Sequence, residues 1–420
     1  MTLPGHDHRF PIDAVRAQFP ALGVTDGGRL RVYFDAPGGT QACAAAIDAM
    51  AAHLRGGTAN AGGAFASSVA TDAASDAAHV AMADLLGAEP GEIAFGPNMT
   101  SLTLAVSRAL AADWSEGDEL IVTRLDHDAN VAPWLRVAAD RGMTVRWLDF
   151  DPATGVLDTA ALPGLLGART RLVAVGMASN ALGTLNDIAG IVATVRAYGN
   201  ALVFVDAVQG VPHVPVDVAT LGADLLVCSP YKFFGPHLGV LWGRRDVLAR
   251  IDAYKVRPAR IDPPASRFET GTPSFEGQAA TGGTVDYLDW LGRAVGDLSN
   301  HRRGRLRAAM TACMAYEAGL GERMLAGLAT IPGLTLYGPP TMTGRVPTFA
   351  FTIAGHHPDA VAECLAAANI FVWSGHFYAV EVIDRLGLAE SGGLVRVGLA
   401  HYSTAAEVDA LIAVLRRMTV

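Results

Sequence analysis

Residues 225–239 read LLVCSPYKFFGPHLG, and the rest of the chain is best read outward from them. Leu225–Ser229 is a short apolar run with strand character, Ser229-Pro230-Tyr231-Lys232 is a turn, and a Gly/Pro-containing loop follows. Lys232 stands at the centre, and the chain holds only one other lysine, Lys255, against 30 arginines. A guanidinium stays protonated at any working pH, so an amine nucleophile here has to be a lysine. Lys255 lies in the polar stretch Ile251–Arg257 (IDAYKVR), which reads as solvated surface. Lys232 follows a buried-looking strand, in a turn where desolvation makes an amine easier to neutralise. Taken in isolation, Lys232 is equally well a loop lysine without chemistry.

Its surroundings change that balance. Twenty-six positions upstream is Asp206, in Leu202–Gln209 (LVFVDAVQ), where it closes an apolar strand and is followed by Gln209. A carboxylate at the end of a buried strand needs a cationic or strongly donating partner, because burying it alone is costly. A protonated pyridine nitrogen is such a partner. Strand-Asp-x-x-Gln followed by strand-Ser-x-x-Lys is the arrangement expected for pyridoxal phosphate, with Asp206 on the ring nitrogen and Lys232 on the aldehyde.

The chain has 420 residues, 51% hydrophobic and 17% charged, with a net charge of −9. That composition supports a large core and argues against disorder over most of the length. An acidic chain without a Lys/Arg cluster offers no electrostatic footprint for nucleic acid. No run reaches the roughly 18 uncharged apolar residues of a membrane span, and the N-terminus lacks the basic start and apolar core of a secretory signal. Cys43, Cys228, Cys313 and Cys364 are widely separated and form no CxxC pair, so neither a disulfide frame nor a zinc site is expected, and a cytoplasmic location fits best.

Along the chain, residues 1–30 read as an arm. It holds His6, Asp7 and His8 in a solvated leader that is no metal site, then a short helix over Ile12–Phe19. Arg31–Asp35 is a strand, Ala36–Thr40 a turn, and Gln41 to about Leu54 a helix. Gly56–Ser68 (GGTANAGGAFASS) is a flexible link or an active-site loop, with the second favoured, and Asp72–Leu86 is a helix. Glu92–Phe95, the turn Gly96-Pro97-Asn98 and the helix Thr100–Ala111 bring a helix N-terminus directly off a strand, a geometry that suits phosphate. Taken alone, that unit reads more readily as an ordinary β-turn-α connection capped by Asn98 or Thr100.

Short strands at Glu119–Thr123, Thr144–Asp149, Arg171–Gly176, Ala201–Asp206 and Leu225–Ser229 alternate with helices such as Ile188–Tyr198, which predicts βαβ units and a mainly parallel sheet. Ligands bind beyond the carboxyl ends of such strands. Asp128, Asn180, Asp206 and Lys232 all follow strands, so they should converge on one crevice. Long helices at Thr284–Leu298 and Asn300–Leu328 lead to Leu334–Tyr337, Thr348–Thr352, Pro358–Ala367, Ile370–Trp373, Leu394–Val397 and Ala405–Met418, an α+β pattern. The expected organisation is an α/β fold with an arm over 1–30, a large domain over 31–285, and linking helices plus a small C-terminal domain over 286–420. Arg396 lies within LVRVG, where one cation among apolar neighbours needs a carboxylate or phosphate ligand or a structural ion pair; the pattern leaves both open.

Together these landmarks resemble the class V aminotransferase family, in its cysteine desulfurase-like branch, from about Arg31 to Tyr402. Tyr33-Phe34-Asp35-Ala36 is similar to its opening strand and turn. The resemblance implies the fold type I architecture of pyridoxal phosphate enzymes. It places phosphate on the backbone N–H of Met99 and on Thr100, Ser229 and Tyr231, the ring nitrogen on Asp206, the phenolic oxygen on Gln209, and the covalent link on Lys232. Ser179-Asn180-Ala181-Leu182-Gly183-Thr184 resembles the segment whose Asn lies near cofactor and substrate, and Arg396 the arginine that takes the substrate carboxylate. Arg267–Pro273 resembles the segment that reaches the neighbouring subunit's phosphate, which implies a homodimer with Thr272 donated across the interface.

Three positions depart from the family pattern. Desulfurases of this branch carry a persulfide-forming cysteine on a loop after Gly-His; here the loop is Gly375-His376-Phe377-Tyr378-Ala379, with Tyr378 in that place and Cys364 in an earlier helix. In Asp126-His127-Asp128-Ala129-Asn130, Asp128 stands where a histidine usually stacks on the ring, so either Asp128 contacts substrate or His127 takes that role. Tyr231 replaces a histidine before the lysine. In the chemistry common to the family, the lysine freed by an amino-acid substrate removes its Cα proton. Without the thiol acceptor, the expected reaction is a lyase cleavage of a Cβ–S or similar bond. An aminotransferase or epimerase is the alternative, and a non-catalytic cofactor- or amino-acid-binding homologue is the rival from another class.

Overall fold

In a computed structural model describing residues 10–297 and 299–419, the apolar runs form a central sheet. Its strands are β1 (Ile93–Gly96), β2 (Glu119–Thr123), β3 (Thr144–Leu148), β4 (Thr170–Gly176), β5 (Leu202–Asp206), β6 (Leu225–Cys228) and β7 (Gly239–Gly243). Their spatial order is β1-β7-β6-β5-β4-β2-β3. β5 runs parallel to β4 and β6, and β2 parallel to β4 and β3. β7 is antiparallel to both its neighbours, β6 and β1. It starts at Gly239, where the expected Gly/Pro-containing loop ends, and the sequence reading names no strand there, because its few apolar residues are bounded by glycines on both sides. His6, Asp7 and His8 of the expected leader lie outside the described residues.

The inner strands β5 and β6 are apolar up to their ends because both faces are covered, whereas the edge strand β3 (TVRWL) is partly exposed. Val203 and Val205 of β5 feed one core and Phe204 the other; β4 divides the same way, with Val173 and Val175 against Leu172 and Ala174. Each such side chain contributes about 1.5–3 kcal/mol on burial. A separate core lies under the smaller antiparallel sheet, whose strands are β8 (Leu334–Tyr337), β9 (Thr348–Ile353), β10 (Trp373–Gly375) and β11 (Leu394–Gly398), in the order β8-β9-β11-β10.

Several boundaries differ from the sequence reading, each for a local reason. The helix expected from Asp72 starts at Ala66, so helix α1 (Ala44–Arg55) is followed by α2 (Ala66–Leu86). The glycine-rich segment before it is tied down by the Asp72 carboxylate, which accepts from Gly62 N (3.0 Å), and by Ser68 Oγ, which accepts from Gly63 N (2.7 Å). No residue of Gly56–Ser68 lines the cleft described below. Helix α3 is Met99–Leu110, and α4 (Phe275–Ala294) begins nine residues before the expected Thr284, capped by Ser274 Oγ, which accepts from Gly277 N. Glycines obscure that start, yet Gly283 is required there: a Cβ would strike the backbone of Ala45 in α1.

The expected boundary between residues 285 and 286 falls within α4. The expected strand Arg31–Asp35 reduces to Val32–Tyr33, which pairs in parallel with Ile370–Phe371 near the C-terminal sheet. The single strand expected over Ile370–Trp373 is thus two pieces, one pairing with Val32–Tyr33 and the other forming β10.

Candidate active site

The carboxyl ends of β2, β4, β5 and β6, the N-terminus of α3 and residues 373–378 and 396 enclose a cleft of about 820 Å³. Lys232 enters it from the turn after β6, where its N–H donates to Ser229 O (3.0 Å) and its Nζ donates to the carbonyl of Pro37. Burial, and then the nearby Arg396, push the Lys232 amine down to about 7. Gln209 Nε2 donates to the same Pro37 carbonyl (2.7 Å), so the glutamine and the lysine share one acceptor. Asp206 closes β5 with Oδ1 accepting from Val208 N (2.9 Å), and burial pushes its carboxyl up to about 6.

Beneath this pair lies a carboxylate that the sequence reading did not single out. Asp126 accepts from Gly176 N (2.9 Å) and Asn130 Nδ2 (2.7 Å), and burial pushes it up to about 7. The next residue, His127, accepts from Ala129 N at Nδ1 (3.0 Å). That bond leaves the ring proton on Nε2. Burial and the two cations Lys232 and Arg396 hold the imidazole down near 4, which keeps it neutral. Its ring stacks on Tyr378, centroids 5.6 Å apart and planes 26° from parallel. Both His127 and Asp128 line the cleft, and Asp128 N donates to the carbonyl of Tyr378 (2.7 Å).

Arg396 reaches in from β11. Its Nη1 donates to Asn180 O (2.9 Å), its guanidinium lies 4.2 Å from the centroid of the Phe377 ring, and its Nε is buried without a partner. Asn180 Nδ2 donates to Phe377 O (2.8 Å), while its Oδ1 is buried and unpartnered. Phe377 and Tyr378 sit at φ +53° and +56°, a region costly for bulky side chains. The bonds from Asn180 and Asp128 hold them there. Tyr378 is 66% exposed at the rim.

At the other end, Met99 and Thr100 begin α3, whose first-turn N–H groups have no intrahelical acceptor. Asn98 caps the helix by accepting from Ser101 N (2.8 Å), and Gly239 lets this turn lie against β7, since a Cβ would strike Asn98. The Ser229 hydroxyl is buried with no partner. Tyr231 lines the cleft with its ring stacked on His237 at 4.7 Å. Thr272 is exposed and lies outside the lining.

This donor set fits a flat, phosphorylated aromatic aldehyde: free N–H groups and an orphaned hydroxyl for an anion, a buried carboxylate for a ring cation, and a near-neutral amine. The unpaired guanidinium fits a second, carboxylate anion. The structure brings together all the expected residues except Ser229, which lies just behind the lining, and Thr272. It adds Pro37, Asp126 and Trp373, of which Asp126 was legible as a further carboxylate following a strand. No cysteine lines the cleft. Cys364 is half-buried in the helix Pro358–Ala367 against the small sheet's core. Among the described residues no cluster of three or more His, Cys, Asp or Glu is placed to hold a metal, and no helix is long and apolar enough to cross a membrane.

Gly398 shows how tightly the cleft is built. A Cβ there would collide with the Pro37 ring, so Gly398→Ala is expected to displace the carbonyl that holds Lys232 and to lower cofactor uptake at least tenfold. Uptake by a correctly folded variant at the wild-type rate would count against that packing argument.

Three comparisons bear on these residues. The family model for aminotransferase class-V matches residues 32–411. A cysteine desulfurase of Pectobacterium atrosepticum is 33% identical over 425 residues, spanning 97% of this chain and 98% of that protein. Among solved structures, the apo cysteine desulfurase of Thermococcus onnurineus superposes with a TM-score of 0.86 at 25% identity, over 98% of both chains. The cysteine desulfurase CsdA of Escherichia coli, in an S-sulfonic acid form, does so with a TM-score of 0.81 at 27% identity, over 97% of this chain and 98% of the other.

Proposed function

As a member of the class V aminotransferase family, this chain is a pyridoxal phosphate-dependent enzyme of the cysteine desulfurase-like kind, and we propose that it is a lyase cleaving the Cβ–S or a similar Cβ–heteroatom bond of an amino acid. The observation that carries the reaction type is the cleft lining, which contains Tyr378 and no cysteine sulfur to accept sulfur from a substrate. Bound in the cleft, pyridoxal phosphate supplies an aldehyde that condenses with amines and a ring that withdraws electrons.

The chain's own groups do the rest. Lys232 Nζ, about half neutral at pH 7, would hold the cofactor through its aldehyde and would accept the Cα proton of a bound amino acid. Asp206 would accept the hydrogen bond of the protonated ring nitrogen, a cation that favours its ionised form against the effect of burial. Met99 N–H, Thr100, Ser229 and Tyr231 hold the phosphate, Gln209 the phenolic side, and His127 or Asp128 the ring face. Arg396 and Asn180 hold the substrate carboxylate, with Phe377 covering the guanidinium and excluding water. Tyr378 stands at the substrate side chain. Thr272, exposed here, reaches the phosphate of a second copy in a homodimer.

The test is product analysis. Loaded enzyme given S-substituted cysteines is expected to release pyruvate, ammonia and a thiol, and Cys364→Ser is expected to leave that rate unchanged. Alanine with sulfur retained on the protein would overturn the lyase reading. Keto-acid exchange or racemisation would mark the alternative branches.

A further inference from the structure

One half-buried acid behind the cleft has no place in the reading above. Asp35 follows the short strand Val32–Tyr33, and its backbone bridges to Gly398 of β11. Gly398 N donates to Phe34 O (2.8 Å), and Pro37 packs directly on Gly398. Two residues from Asp35 along its own segment is the carbonyl that accepts from Lys232; two residues from its bridge partner is Arg396. The acid thus shares a segment with the carbonyl that meets the lysine amine and is bridged to the strand that carries the arginine. Its Oδ1 is buried without a hydrogen-bond partner, an arrangement that costs free energy unless a charge nearby offsets it.

We propose that Asp35 is a positioning residue whose carboxylate balances the Lys232 amine against the Arg396 guanidinium and so sets the protonation of the lysine that takes up the cofactor. The charged and titratable groups that face Asp35 are Lys232 from the turn after β6, Arg396 from β11 and Tyr402 beyond β11, and those that face the lysine besides are Asp206 from β5, His127 from the turn after β2 and the neighbouring Tyr231. Burial pushes Asp35 up to about 6 while Arg396 and Lys232 pull it back, so it is largely ionised at pH 7. Asp206 and Asp35 raise the amine, and Arg396 lowers it. Without the Asp35 charge, Lys232 faces Arg396 with Asp206 alone and gives up its proton at lower pH.

The test uses cofactor-free full-length protein and a small acylating reagent, followed by peptide mapping across pH. With only two lysines in the chain, Lys255 serves as the internal reference. In wild type the labelling of Lys232 is expected to rise with a midpoint near 7. Asp35→Asn is expected to lower that midpoint by about one unit, and Asp35→Glu to restore it. An unchanged or raised midpoint in folded Asp35→Asn overturns the proposal. Asp35→Ser, judged the same way, replaces the amide variant if that one does not fold. The inference rests on Lys232 being the cofactor lysine: wild-type protein that takes up no pyridoxal phosphate would sink that reading, whereas the titration alone decides Asp35.

Discussion

Lys232→Ala is expected to abolish the visible absorption of the pyridoxal phosphate-loaded protein and to lower turnover by about a thousandfold or more. That loss combines a missing covalent anchor with a missing proton acceptor, and positioned acid–base groups alone are worth roughly 10²–10⁴ in rate. No other amine can replace it: Lys255 is far along the chain in a segment that forms a separate surface hollow, with its Nζ donating to Ala259 O (3.2 Å). The pH dependence has a definite sign. Burial and Arg396 hold the Lys232 amine near 7, so its neutral, nucleophilic fraction grows between about pH 6 and pH 8, and the rate of cofactor uptake by wild-type protein is expected to rise and level off over that window. Retained visible absorption in Lys232→Ala, or uptake that falls as pH rises through 7, would contradict the assignment.

Arg396→Gln is expected to separate substrate binding from cofactor binding. The guanidinium is fully buried, is pulled down to about 9 by that burial, and keeps Nε unpartnered beneath the Phe377 ring. A buried cation held this way is expensive unless an anion completes it, and the α-carboxylate of an amino acid is the anion the cleft is shaped to receive. Truncating one member of a buried charged pair costs about 2–5 kcal/mol, or roughly 30- to 4,000-fold in kcat/KM at about 1.4 kcal/mol per factor of ten. Absorption of the bound cofactor should be retained, because Arg396 does not belong to the phosphate or ring contacts. Equal loss of both would make the residue a structural strut; loss of neither would remove it from the site.

Much of this was legible because it is local. LVFVD ends on Asp206 in the structure as in the sequence, since a run apolar on both faces belongs to an interior strand and a carboxylate can stand only at its end. Glu119–Thr123, Ile188–Tyr198, Leu334–Tyr337 and Ala405–Met418 carry the same clear periodicity and were placed with their observed bounds. Where glycine interrupts the pattern the reading slipped, at the start of α4 and at β7, because glycine there serves close packing and leaves no hydrophobic mark. The cysteine-free cleft lining agrees with Tyr378 at the rim, but whether a second residue, His127 or Asp128, faces the ring could not be read from their adjacent positions alone.

The amino-acid pattern by itself determined that a parallel α/β sheet delivers Asp206 and Lys232 from neighbouring strands, since alternation, strand ends and the scarcity of lysine are properties of short stretches. Only the tertiary structure decided that Val32–Tyr33 pairs with Ile370–Phe371, that Pro37 lies against Gly398, and that Asp35 is bridged to the strand that carries Arg396. Those contacts join segments from opposite ends of the chain. They depend on which surfaces close over one another when the two sheets assemble, and no local periodicity encodes that choice.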